Sequence, residues 1–162
     1  MADPTLDVTA LDHLYITVAD LRRSEAFYDP VMRLLGFRKG TTPIGGDPHV
    51  HYFNRVTQYS LRPARVPSAY DPYRPGLHHV CFRVATPADV DAAAHGLATL
   101  GVATTPPKVY PEYAADYYAI FFTDPDGIGL ELVAHRRVRT LIVEHWDELK
   151  DFEDPLRKAG LI

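Results

Sequence analysis

An α+β fold of two βαβββ modules in one chain, followed by a helical tail, is predicted by three observations. A strand-and-helix pattern occurs twice, a tight-turn sequence joins two apolar runs near the end, and a proline-rich segment separates the two halves. Each half built this way leaves one sheet face uncovered, and pairing the halves encloses a cleft between their concave faces.

The first strand is read from the alternation of Leu14, Ile16 and Val18 with His13, Tyr15 and Thr17, a period of two with one buried face. Asp20 is placed to cap a helix in which Ala26, Phe27, Val31 and Leu34-Leu35 recur at helical spacing until Gly36 closes it, with Pro30 expected to bend it or end its first part early. The glycine- and proline-rich stretch 40–48 reads as a separator, and His49–Phe53 with Thr57–Leu61 as a hairpin pair. In the second run Tyr59 and Leu61 face the core, and Gln58 and Ser60 the other side. Pro63, Pro67, Pro72 and Pro75 exclude regular structure over 62–76.

The opening pattern then returns. His79, Cys81 and Arg83 alternate with Val80, Phe82 and Val84. Thr86-Pro87 opens a helix of Val90, Ala93, Ala94, Leu97 and Leu100 that Gly101 closes. A tyrosine-rich irregular run, 110–118, reads as a pocket wall or a surface loop. Asp124-Pro125-Asp126-Gly127 then supplies a proline with preset φ and a glycine for the position needing positive φ, making Ala119–Phe122 and Leu130–Val133 an antiparallel pair. Residues 135–162 carry Leu141, Ile142, Trp146, Leu149 and Phe152 at helical spacing and read as a helical extension.

Composition bounds the function. With 162 residues, 46% of them hydrophobic, the chain suits a single domain: module one at about 11–62, a linker at 63–76, module two at about 77–135 and the extension at 136–162. A net charge of −4 without a basic run argues against nucleic acid, and no apolar segment is long enough to span a membrane, so the expected partner is a small molecule. Cys81 is the single cysteine and excludes an intrachain disulfide. The opening Met1-Ala2-Asp3-Pro4-Thr5 lacks the features of a secretory signal, and residues 1–10 read as a loose leader; the expectation is a cytoplasmic protein.

Strand parity puts His13, His79 and Glu131 on the face opposite the core residues of their own strands, while His78 falls by the same rule on the helix-packed side. Two neutral imidazoles and a carboxylate suit a divalent cation and leave positions open for water or substrate. Fe2+, Mn2+, Ni2+, Co2+ and Zn2+ all accept this ligand set.

Asp12-His13 with Val18-Ala19-Asp20-Leu21, Phe27-Tyr28, Leu35-Gly36-Phe37, His79-Val80-Cys81-Phe82 and Asp124-Pro125-Asp126-Gly127 ahead of Leu130-Glu131 resemble the vicinal oxygen chelate superfamily over about residues 11–135. That group includes glyoxalase I, extradiol dioxygenases, fosfomycin-modifying transferases, methylmalonyl-CoA epimerase and bleomycin-binding proteins. The resemblance implies a glyoxalase-like open barrel and a metal held by His13, His79 and Glu131. It also implies a substrate chelated through adjacent oxygens, and a homodimer, a form in which members of this kind often exchange modules between subunits. Two departures narrow the reaction. Ser60 stands where glyoxalase I-like members place a fourth, acidic ligand, and Phe121 stands where dioxygenases and fosfomycin transferases commonly carry a tyrosine. Tyr117, Phe121, His51 and Gln58 are the candidate substrate-contacting residues, Tyr117 by its shared parity with Phe121. The expected function is a metal-dependent lyase, isomerase or dioxygenase of unassigned reaction. The alternatives are a metal-free sequestering protein of the bleomycin-resistance kind, with the tyrosine-rich cleft as its site, and a regulatory module using Trp146 for contacts.

Overall fold

The structure is a computed structural model and describes residue 6 and residues 8–66 and 68–162. Part of the expected N-terminal leader, and Pro67 of the linker, lie outside the described residues. The elements run β1 (His13–Val18), α1 (Leu21–Leu34), β2 (Arg38–Ile44), β3 (Asp47–Phe53), β4 (Gln58–Pro63), β5 (His79–Arg83), α2 (Pro87–Thr99), β6 (Lys108–Val109), β7 (Tyr118–Thr123), β8 (Gly129–Ala134), α3 (Arg137–Glu144) and α4 (Pro155–Lys158). Two open four-stranded sheets result, ordered β1-β4-β3-β2 and β5-β8-β7-β6. The identical order is the duplication in structural form. In each, the first strand pairs in parallel with the fourth, and the remaining pairs are antiparallel.

The helices begin where the sequence marks them. The Asp20 carboxylate accepts from Arg23 N at 3.0 Å, and Thr86 and Asp89 form a reciprocal capping box with Pro87 in the first turn. Pro30 does not end α1. The helix runs through it because Tyr28, Val31 and Met32, on either side of the proline, are buried in the core, and that packing outweighs one lost backbone hydrogen bond.

Stretch 40–48 is not a separator. It forms most of a long hairpin in which Pro43 faces Pro48 and Ile44 faces Asp47 across Gly45 and Gly46, whose φ values of 60° and 87° give the paired left-handed residues of a tight hairpin. Proline is tolerated in this ladder because β2 is an edge strand and Pro48 lies beyond the part of β3 that pairs with β4. The tail also departs from expectation. It breaks into α3, a single 3-10 turn at Trp146–Glu148 and α4, and Asp154-Pro155 starts the last piece afresh; no residue of α3 or α4 is buried among those described.

The apolar faces of both sheets, with the inner sides of α1 and α2, make one core: Ile16, Val18, Tyr59 and Leu61 from the first half, and Ile120, Phe122, Leu130 and Leu132 from the second. The last turn also holds the halves together. Asp124 is buried and accepts from Asp126 N at 2.9 Å, Ile128 N at 2.8 Å and the Tyr28 hydroxyl at 3.1 Å, and Tyr28 and Tyr59 share a 2.9 Å hydrogen bond. Asp126 accepts from Ala19 N at 2.7 Å and pairs with Arg23. Because the apolar faces are spent on this shared core, the two polar faces lie on the far sides of their sheets. Among the described residues no helix is long and apolar enough to cross a membrane.

Candidate functional site

On the second sheet, β5 and β8 run parallel, with His79 opposite Gly129 and Cys81 opposite Glu131, while β7 puts Phe121 against Glu131 from the other side. Period-two geometry then places His79, Cys81, Phe121 and Glu131 on one face. Glu131 is 2% exposed, and a carboxylate so far out of water needs partners. It has two: the Tyr117 hydroxyl donates to Oε1 at 2.6 Å, and His79 Nε2 lies 3.4 Å from Oε2. Burial, then the Glu131 carboxylate, pushes the Tyr117 hydroxyl above the usual phenol range, so it stays a donor at neutral pH. Cys81 keeps solvent contact, but desolvation of its thiol and the neighbouring Glu131 push it up to about 12, leaving a neutral thiol.

Gly129 makes room for the histidine. A Cβ built there falls 3.1 Å from His79 Cβ, closer than most side chains approach, so a side chain would oblige His79 to give by a few tenths of an ångström.

The first sheet carries different groups at equivalent positions. His13 lies opposite Gln58 and Tyr15 opposite Ser60, and β3 brings His51 against Ser60. Ser60 Oγ sits 2.9 Å from His51 Nδ1 and accepts from Gln58 Nε2 at 3.0 Å. His49 stacks on His51 with ring centres 6.1 Å apart, and the Tyr15 ring meets both edge-on. Burial first, and the adjacent His49 second, hold His51 below the usual imidazole range, so it is neutral at pH 7.

His13 and His79 share one more property. Each has Nδ1 engaged at 2.8 Å by the side chain just before it, Asp12 in the first sheet and His78 in the second. With Nδ1 occupied, Nε2 is the nitrogen left for a ligand, the arrangement that orients metal-binding imidazoles. The parity rule misplaced His78. It precedes β5, so strand alternation does not govern it, and it is exposed beside His79 rather than packed under the helix.

The chain thus brings His79, Glu131, Tyr117 and Phe121 together and leaves His13, His51 and Gln58 on the other sheet. Among the described residues no group of three or more His, Cys, Asp or Glu side chains is arranged to hold a metal ion. The pair nonetheless fits one. With metal–ligand bonds of about 2.1 Å, two ligands of a tetrahedral ion stand ~3.4 Å apart, and the Nε2 to Oε2 separation is 3.4 Å. Cys81 was missed as a site residue, although its parity with His79 signals it. Asp116 was missed for a different reason. It anchors α3 by accepting from Arg136 N and Arg137 N at 3.1 and 2.9 Å and by meeting His135 Nδ1 at 2.8 Å, a tertiary contact with no local signature.

Known proteins share this fold. The sequence model of the Glyoxalase/Bleomycin resistance protein/Dioxygenase superfamily matches residues 10–132. The uncharacterized protein YqjT of Bacillus subtilis (strain 168) is 29% identical over 128 residues, 76% of this chain and 98% of its own. The glyoxylase/bleomycin resistance protein/dioxygenase domain from Frankia sp. EAN1pec superposes with a TM-score of 0.67 at 25% identity, covering 80% of this chain and 100% of that one. A mutant of the fosfomycin resistance protein FosX from Listeria monocytogenes, complexed with Mn(II) and 1S,2S-dihydroxypropylphosphonic acid, superposes with a TM-score of 0.59 at 17% identity, covering 83% of this chain and 99% of that one. That likeness is one of fold alone.

Proposed function

Because the chain belongs to the Glyoxalase/Bleomycin resistance protein/Dioxygenase superfamily, we propose that it is a metal-dependent enzyme acting on a small oxygen-bearing compound. The observation that carries this reading is the buried Glu131 carboxylate facing His79 Nε2 at 3.4 Å, on the sheet face opposite the shared core. His79 and Glu131 hold the divalent cation, and His13 of a second copy supplies the third ligand in a homodimer that sets the first sheet of one subunit against the second sheet of the other. Fe2+, Mn2+, Ni2+, Co2+ and Zn2+ remain equivalent choices for this donor set. When bound, the ion polarises adjacent substrate oxygens and stabilises negative charge developing on them.

The chain's own groups divide the remaining work. Tyr117 fixes the Glu131 carboxylate through a 2.6 Å hydrogen bond and closes one side of the site. Phe121, ring-packed on Tyr110 at 5.0 Å, is an apolar wall where a hydroxyl would otherwise stand. Ser60 cannot serve as a base, but it holds His51 at Nδ1. A neutral imidazole held there keeps Nε2 for accepting a proton from substrate, with Gln58 steadying the serine. This favours redox-neutral lyase or isomerase chemistry over ring-opening dioxygenation.

The test is metal analysis of the purified protein and of His13→Ala, His79→Ala and Glu131→Ala, each alone and in mixtures after subunit exchange. The expected result is a stoichiometric ion in the parent and none in any single variant. Mixing His13→Ala with Glu131→Ala should restore about a quarter of the parent content, since half of the dimers are then hybrids with one intact site each. Unchanged low metal in all samples sinks the enzyme reading and favours a metal-free sequestering protein, which the lack of a three-ligand group among the described residues of one chain would also suit.

A further inference from the structure

A second cleft, about 450 Å3 in volume, opens between the end of β5 and α3, with the guanidinium-bearing Arg83, Arg136 and Arg139 in its lining together with Thr140, Val143 and Glu144. Among the described residues none of these three arginine side chains makes an ion pair. Arg23, Arg62, Arg65 and Arg74, by contrast, each pair with a carboxylate. Another cleft, about 360 Å3 and lined by Asp29, Arg33, Arg38 and Lys39, already has its lysine occupied. Asp29 holds Lys39 at 2.8 Å and accepts from Tyr52 at 2.7 Å, and Glu25 takes the same lysine. Only Glu144 offsets the three arginines, so the cleft between β5 and α3 keeps a net positive charge.

Its position relative to the candidate metal pair is fixed by hydrogen bonds. Arg83 shares a sheet face with His79 and Cys81 and lies opposite Val133, two residues beyond the Cys81–Glu131 pair, a step of roughly 6.6 Å along the strand. On the other wall, Asp116 accepts from Arg136 N and Arg137 N, and the next residue, Tyr117, donates to Glu131. The arginines of α3 are therefore tied to the Glu131 carboxylate through one short stretch of chain. Residues 137–144 lie outside the matched family region 10–132, so this wall belongs to the chain's own extension.

We propose that this cleft binds the anionic group, a carboxylate or a phosphate, of the small molecule whose oxygens reach His79 and Glu131. The substrate is then an oxygenated compound with a negatively charged end, an assignment that rests on the metal-enzyme reading above. Planar guanidinium groups offer paired donors matching two oxygens of either anion, and Thr140 adds a hydroxyl at the rim.

The experiment is titration of inorganic phosphate, and separately of succinate, into the full chain, followed by calorimetry and amide NMR shifts. The samples are the parent, Arg139→Ala, Arg139→Lys and the double variant Arg136→Ala/Arg139→Ala. These arginines are exposed, so the variants keep the fold. Saturable binding of one probe is expected, with shifts at 83–85 and 136–144. Arg139→Ala should weaken it about tenfold, as loss of one charge-assisted hydrogen bond does. Arg139→Lys should fall between. The tighter probe tells phosphate from carboxylate. Absence of saturable binding for both probes, or binding that survives loss of both arginines, overturns the proposal. Metal analysis of the same samples separates the readings: no metal in the parent together with arginine-dependent binding overturns the metal reading and leaves the anion site standing.

Discussion

The two sheets have the same strand order, yet their polar faces carry different groups. On the first, His13 is opposite Gln58 and Tyr15 opposite Ser60; on the second, His79 is opposite Gly129 and Cys81 opposite Glu131. One half thus offers imidazoles backed by a hydroxyl and an amide, the other an imidazole drawn against a buried carboxylate. Duplication supplied the frame; under the proposed function, different residues at matched register positions fit one face to accept a proton and the other to bind a cation. The residue opposite the histidine is part of that divergence, because a glycine there leaves His79 Cβ room that a side chain would crowd.

Making the second sheet resemble the first is expected to have the largest effect. Glu131→Ser should reduce bound metal to background and abolish turnover, whereas Ser60→Ala on the first sheet should leave metal content unchanged; elemental analysis of both checks this. Next comes the turn that joins the halves. Asp124→Ala removes the acceptor of three hydrogen bonds in a buried place and should cost about 2–4 kcal/mol in denaturant unfolding, with Tyr28→Phe costing about 1 kcal/mol. A smaller loss is expected for Gly129→Ala, about tenfold in metal affinity with little change in stability, measured by competition with a chelator. An unchanged affinity would show that His79 does not depend on that opening.

The smallest effect concerns pH. Burial would raise the Asp116 carboxyl, but hydrogen bonds from Arg137 N, Arg136 N and His135 outweigh it and hold it below the usual carboxylate range. A depressed folded-state value means the anchor stabilises α3 fully above the ordinary aspartate value of about 4 and loses that contribution as pH falls through the folded one. Trp146 follows α3 directly, so its fluorescence should change on acidification before the core unfolds. In Asp116→Ala the same change should already be present at neutral pH.

Much of the frame was legible because it rests on period. β1 and β5 alternate cleanly, α1 and α2 carry their caps in the sequence, and Asp124 to Gly127 spells its turn. β2 was not legible: six of its seven residues are exposed, so there is no buried face to alternate with, and its glycine and prolines imitate a loop. At the site, parity paired His79 with Glu131 correctly and gave Tyr117 its place beside them. Parity says which face a residue takes but not which other face it meets. The separation of His13 from that pair follows from how the two halves pack on a shared core, a long-range outcome with no local pattern. The same holds for Asp116 and α3.

The sheet borders differ in what they permit. β2 closes one border with Pro43, which has no amide proton to give, and β6 closes the equivalent border with only two residues. The opposite borders, β1 and β5, contain no proline and run for six and five residues, and they are the strands that begin at His13 and His79. Lateral growth of either ladder is therefore blunted on the sides away from the histidines and left available on the sides that carry them. A newcomer strand, whether a sister subunit or an aggregating neighbour, would be drawn to the border where the imidazoles stand.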